Sequence, residues 1–157
     1  MSISDIRIVA FGHPLKNDNA YAVLSHSESL GAKVHFSTCK DSESFANFDH
    51  GAINWRELTN GIHWLINSAE TMLIGESPKS ALGAGMTFGE LEGSRMVMIV
   101  DVPDVSSDIS ESWGFVINRI RQIHVLFLTP NALHAISKLE GVTIENVLKE
   151  IRNKGLV

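Results

Sequence analysis

"RMVMIVDV", residues 95–102, is an almost continuous apolar run, hydrophobic at both alternating positions. A strand with one wet face alternates apolar and polar residues, whereas a strand apolar on both faces belongs inside a sheet covered by helices on each side, as parallel sheets are. Its neighbours in sequence fit that setting. Upstream, "SPKSALGAGMTFGELEG" (77–93) predicts a helix with Ser77 as cap, Pro78 at its first position and Gly93 closing it. Before it, "GIHWLINSA" (61–69) predicts a strand. Downstream, "DISESWGFVINRIRQI" (108–123) predicts an amphipathic helix with Trp113, Val116, Ile117 and Ile120 on one side, and "HVLFL" (124–128) predicts a strand. Two further helices are predicted, "PNALHAISKLEG" (130–141) and "TIENVLKEIRNKG" (143–155). In the second, Thr143 caps an apolar stripe of Ile144, Val147, Leu148 and Ile151.

The N-terminal third repeats the alternation. "IRIVAF" (6–11) predicts a strand, "NAYAVLSHSESLG" (19–31) a helix stopped by Gly31, and "AKVHFSTC" (32–39) a second strand. Residues 40–60 are polar and turn-rich, and "INWRELT" within them can make one or two helical turns. Five strands alternating with helices predict an α/β fold, a three-layer α/β/α sandwich around a mainly parallel sheet. At 157 residues the chain is the length of one domain, expected to span 1–157.

Composition narrows the function classes. The chain is 44% hydrophobic and 20% charged, with a net charge of −5 and no basic face interleaved with aromatics, so nucleic acid is not an expected partner. No apolar run reaches the roughly 18 residues of a membrane span. "MSISDIRIVAFGHPL" does not read as a secretory signal, and the lone Cys39 cannot form an intrachain disulfide, so the expected compartment is the cytoplasm.

The order of elements resembles the ribokinase-like (PfkB-type) sugar kinases, most nearly the ketodeoxygluconate kinase branch. "FDHGAINWRELTNGIHWLINSAETMLIGESPKSAL" (48–82) is similar to that branch's Asp-Trp-x-x-Leu, Gly-x-x-Trp-Phe-His-x-Ser-Gly and Ala-Leu-Ser-Glu pattern, with Trp55, Leu58, Gly61, Trp64, Ser68 and Glu76 in step. "HVLFLTPNALHAI" resembles its Val-Asp-Val-Leu-Phe-Leu-Asn-Glu-x-Glu-Ala, and "NAYAVLSHSESLGAKVHFSTCKDSE" its first helix and strand. With the general rule for doubly wound sheets, the resemblance implies strand order 2-1-3-4-5.

The resemblance also implies what is altered. The family's Gly-Gly stands here as Asn17-Asp18, and its sugar-contacting Asn as Ala22. Its Asp-x-Asn-x-Arg keeps only Asp101, and its Asn-x-x-Glu reads Thr129-Pro130-Asn131-Ala132. The lid strands that follow the second strand in the family have no counterpart before "FDHGAINW", and the Gly-Ala-Gly-Asp loop of its ATP-binding C-terminal part has none after "LV". The expectation is a truncated, degenerate relative that lacks the lid and the ATP-binding part. No catalytic residue, metal or cofactor is assigned to it. Its expected mode of action is self-association, as a homodimer, or the binding of a partner or small ligand.

If the sheet is parallel, the strand ends converge on one rim. His13 follows the first strand, and Asn67, Ser68 and Glu70 end the third, Asp101 and Asp104 the fourth, and Thr129 and Asn131 the fifth. His13, Asn17, Asp18, Asn67, Glu70, Asp101, Thr129 and Asn131 are therefore the candidate ligand-binding residues, for a sugar or sugar acid; their polarity is equally that of wet loops. Two alternatives to the non-catalytic reading follow: a small enzyme or sugar-acid-binding protein using this rim, or one half of a split carbohydrate kinase. "GAGMTFGE" (83–90) lies inside a predicted helix, where small residues permit close packing. His35, His63 and His124 fall on predicted strands and are expected to be hydrogen-bonded within the protein. Met72-Leu73-Ile74 and the "IENVLKEI" stripe either face a second subunit or pack on their own sheet.

Overall fold

The computed structural model describes residues 2–14, 18–41 and 43–155. In chain order the elements are β1 (Arg7–Phe11), α1 (Asn19–Ser29), β2 (Lys33–Ser37), α2 (Trp55–Thr59), β3 (Trp64–Ser68), α3 (Glu76–Leu91), β4 (Arg95–Val100), α4 (Ser110–Asn118), β5 (Val125–Leu128), α5 (Pro130–Glu140) and α6 (Ile144–Lys154). The five strands form one all-parallel sheet in the order β2-β1-β3-β4-β5. The 95–102 run is the penultimate strand of that sheet, with Met96, Met98 and Val100 fully buried.

Strand alternation divides the core in two. On one face Val9, Phe11, Leu65, Met96, Met98 and Val100 pack beneath α2 to α6. On the other, Ile8, Ala10, Ile66, Val97 and Ile99 meet Ala20 and Leu24 of α1. The layers are thus unequal. α1 lies over β2, β1 and β3, while the same face of β5 carries a half-buried Val125 and a Phe127 that is 56% exposed.

Residues 40–60 contribute more to the core than their polarity predicts. Phe45 and Trp55 are buried, and Phe11 stacks on Phe45 at 5.8 Å and meets the edge of Trp55 at 5.7 Å. The glycines of 83–90 do permit close approach, as expected. A Cβ on Gly85 would come within 2.7 Å of the Trp55 ring, and one on Gly89 within 3.2 Å of Leu65 and 3.3 Å of Met96.

Several boundaries differ from the sequence reading. α3 starts two residues early, with Gly75 in place of Ser77 at its N-cap, where the chain presses against Ala46, whose carbonyl oxygen lies 2.6 Å from where a Gly75 Cβ would be. Pro78 is buried in the first turn, and Gly93 at φ +75° closes the helix with Ser94 N–H donating to Gly89 O at 2.8 Å. The helix predicted over 108–123 ends at Asn118, and a 3-10 turn at Ile120–Gln122 delivers the buried Ile120 and Ile123 to the core. In α6, Thr143 accepts from Asn146 N as its cap. Val147 and Ile151 pack inward, so the stripe serves its own domain, while Leu148 stays exposed. Among 72–74, Met72 is buried and Leu73 and Ile74 are exposed. Among the described residues no helix is long and apolar enough to cross a membrane.

Candidate functional site

The order β2-β1-β3 places a switch point between β1 and β3, where the connections leave toward opposite faces and ligands of open α/β sheets are usually held. Here that crevice is stitched across by side chains. Asp18 is the N-cap of α1 and 5% exposed. Its Oδ1 accepts from Ala20 N (2.8 Å) and Tyr21 N (3.2 Å), and its Oδ2 from His13 N (3.1 Å) and from Thr71 Oγ1 (3.1 Å) beyond β3. Gly12 is required beside it, since a Cβ there would meet the Asp18 carboxyl at 2.6 Å.

One residue along, Asn19 continues the seam. Its backbone N–H and side-chain Nδ2 both donate to Glu70 Oε1, at 3.3 and 2.8 Å, and Nδ2 also lies 3.4 Å from Asp101 Oδ2. Ser68 Oγ donates to the same Glu70 oxygen at 3.0 Å, and Thr129 Oγ1 donates to Asp101 Oδ1 at 2.7 Å. Two half-buried carboxylates from the turns after β3 and β4 are thereby held around one amide from α1.

The candidates therefore separate into groups. Glu70, Asp101 and Thr129 come together as the sequence predicts. Asp18 is also present, but as a cap and tether. His13 approaches Asp18 through its backbone and lays its ring edge-on to Phe45 at 5.0 Å. Asn67 is 1% exposed: Nδ2 donates to Val97 O at 3.4 Å, and Oδ1 has no partner. Asn131 ties the loop after β4 by donating to Pro103 O at 3.1 Å. Asn17 lies outside the described residues.

Asn19, the centre of the network, was not legible as a site residue; the available signal was its position as the first helical residue after β1, directly at the switch point. Among the described residues no group of three or more His, Cys, Asp or Glu could hold a metal ion.

Farther out, the loop after β4 adds negative charge. Hydrogen bonds from Ser106 hold the Asp104 carboxyl below the usual carboxylate range, and those from Ser110 do the same for Asp108. Of the strand histidines, His63 Nδ1 accepts from Arg7 N at 3.0 Å and His124 Nδ1 from Met96 N at 3.2 Å, as expected of internally bonded rings. His35 departs from that expectation. It lies on the edge strand β2 and is exposed.

The geometry defines a three-layer, doubly wound α/β scaffold with a self-bonded polar rim. No protein-family model matches the sequence, and no curated protein matches it. Among solved structures, a 2-dehydro-3-deoxygluconokinase from Thermotoga maritima is similar over 95% of this chain, with TM-score 0.62 and 12% identity. A PfkB family carbohydrate kinase from Listeria grayi is similar over 98%, with TM-score 0.60 and 12% identity, and a fructokinase from Xylella fastidiosa over 99%, with TM-score 0.59 and 9% identity. The chain spans 67% of the first structure's length and 56% of each of the others. At these identities the shared property is the fold of PfkB-type carbohydrate kinases, and the sandwich and strand order implied by the sequence are the ones found.

Proposed function

We propose that the chain is a non-catalytic protein of sugar-kinase fold that acts by self-association, pairing as a homodimer through the side of the sheet that α1 leaves open. The observation that carries this reading is Phe127, 56% exposed in the middle of edge strand β5, beside a half-buried Val125 on the same face. An exposed aromatic on an open sheet edge is a liability that proteins cover, and a two-fold pair covers it on both copies at once. The stitched rim supports the non-catalytic half. Phosphoryl transfer needs charge neutralised around the phosphates, whereas the Glu70 and Asp101 carboxylates here are engaged by Asn19, Ser68 and Thr129. Sedimentation velocity at micromolar concentration tests it. The wild type should sediment as a dimer and Phe127→Ser as a folded monomer; a monomeric wild type contradicts the reading.

A second reading keeps the rim as a binding site, favoured by the two carboxylates fixed around Asn19. Carboxylates accept hydrogen bonds, so the ligand class is a neutral sugar, with hydroxyl donors, in preference to a sugar acid. A neutral sugar should then raise the unfolding midpoint of the wild type and leave that of Asn19→Ala unmoved. Stabilisation by sugar acids alone, or equal stabilisation of both proteins, counts against this site.

A further inference from the structure

At the opposite edge of the sheet an open groove of about 750 Å³ runs along β2 beneath α2. Its floor is cationic. Arg7 and Lys33 are directly opposed in the β1–β2 register and His35 follows two residues on, so all three side chains stand on one face. Like charges opposed on adjacent strands repel, and none of the three ion pairs among the described residues includes Arg7, Lys33 or His35. The carboxylate on the opposite wall, Glu57, is engaged by Asn54 Nδ2 at 3.0 Å. The two fixed positive charges, Arg7 and Lys33, sit on a chain whose net charge is −5.

The backbone of β2 adds a second, independent feature. Lys33 N donates to Ile6 O and Ser37 O accepts from Gly12 N, so the odd-numbered residues bond toward β1. The N–H and C=O groups of Val34 and Phe36 consequently point outward, and no backbone hydrogen bond among the described residues engages them. Val34 and Phe36 turn their half-buried side chains to the α1 face. The free edge is thus cationic above, apolar below and unpaired along its backbone. A second copy of β2, paired antiparallel about Val34, would set Lys33 against His35 of that copy and bring no carboxylate to Arg7 or Lys33, so it does not match the charge of this edge.

We infer that β2 is a docking edge for an extended acidic peptide segment of a partner protein. The segment adds a sixth strand, with carboxylates at alternate positions over Arg7, Lys33 and His35 and apolar residues between them against Val34 and Phe36. Main-chain pairing supplies affinity in such additions and the alternating side chains supply specificity.

The probe is acetyl-Glu-Val-Glu-Val-Glu-amide, titrated by calorimetry into the full chain at low and at physiological salt. It should bind, more weakly at the higher salt. The lysine counterpart should not bind, and Lys33→Glu, checked for unchanged thermal unfolding, should lose at least tenfold in affinity. Arg7→Gln serves if Lys33→Glu does not fold. The same acidic peptide N-methylated at the amides facing β2 keeps its charge and should fail to bind. Absence of binding, equal binding of the methylated peptide, or an affinity indifferent to both substitutions would overturn the proposal; the second of these outcomes would reveal a site for carboxylates alone.

Discussion

Asp18 shows how one side chain can answer two different expectations. Its place after β1 suits a ligand contact, yet its carboxylate already accepts four hydrogen bonds and closes the β1–β3 crevice through Thr71. Losing an N-cap costs about 1 kcal/mol, and a buried donor left unpaired costs about 1–3 kcal/mol more. Asp18→Ala should therefore lower stability by at least about 2 kcal/mol in urea unfolding, because Thr71 Oγ1 and His13 N lose their acceptor. An unchanged midpoint would return Asp18 to the ligand-binding group. At this scale the sequence was partly legible. Polarity at strand ends pointed to Glu70, Asp101 and Thr129, but polarity does not distinguish a side chain that waits for a ligand from one that ties two loops together. That difference lies in partners distant in sequence, as in the Asn19–Glu70 and Asn19–Asp101 contacts.

Elements were read more reliably than sites, because hydrophobic period and punctuation are local properties. The apolar strand at 95–102, the glycine stops after α1 and α3 and the Thr143 cap are each set by a few neighbouring residues. The failures have non-local causes. Gly75 begins α3 because Ala46 presses on it, and the polar-looking 40–60 segment is anchored through Phe45 and Trp55 against Phe11. Here the glycines of α3 have a consequence that can be measured. Gly85→Ala gains about 1 kcal/mol in helix propensity, but its methyl must displace the Trp55 ring, which lies 2.7–3.0 Å away and is buried at 3% exposure. Overpacking of this kind costs about 1–3 kcal/mol, so the net change should be destabilising. Trp55 fluorescence should shift with it. A stabilised variant would show that α2 can move freely off α3.

On the scale of the whole molecule, the sheet is asymmetric in two ways. One face is roofed by five helices and the other by α1, and the two edges differ, β5 presenting Phe127 and β2 presenting Lys33 and His35. The strand order and layering were legible because they follow from the alternation of elements and from the sugar-kinase resemblance. The exposure of each edge was not, since it depends on what else covers the sheet. A scaffold shared with carbohydrate kinases does not carry their chemistry with it, and in this chain the switch-point crevice is closed by its own hydrogen bonds while an edge aromatic remains uncovered.

The most direct test is thermal unfolding followed over a hundredfold range of protein concentration, with and without MgATP. Association that stabilises the folded state makes the midpoint depend on protein concentration, whereas a ligand at 100 times its dissociation constant adds about 2.7 kcal/mol, worth several degrees for a domain of this size. The account predicts a midpoint that rises with protein concentration and does not move with MgATP. A midpoint independent of concentration and raised by MgATP would contradict it.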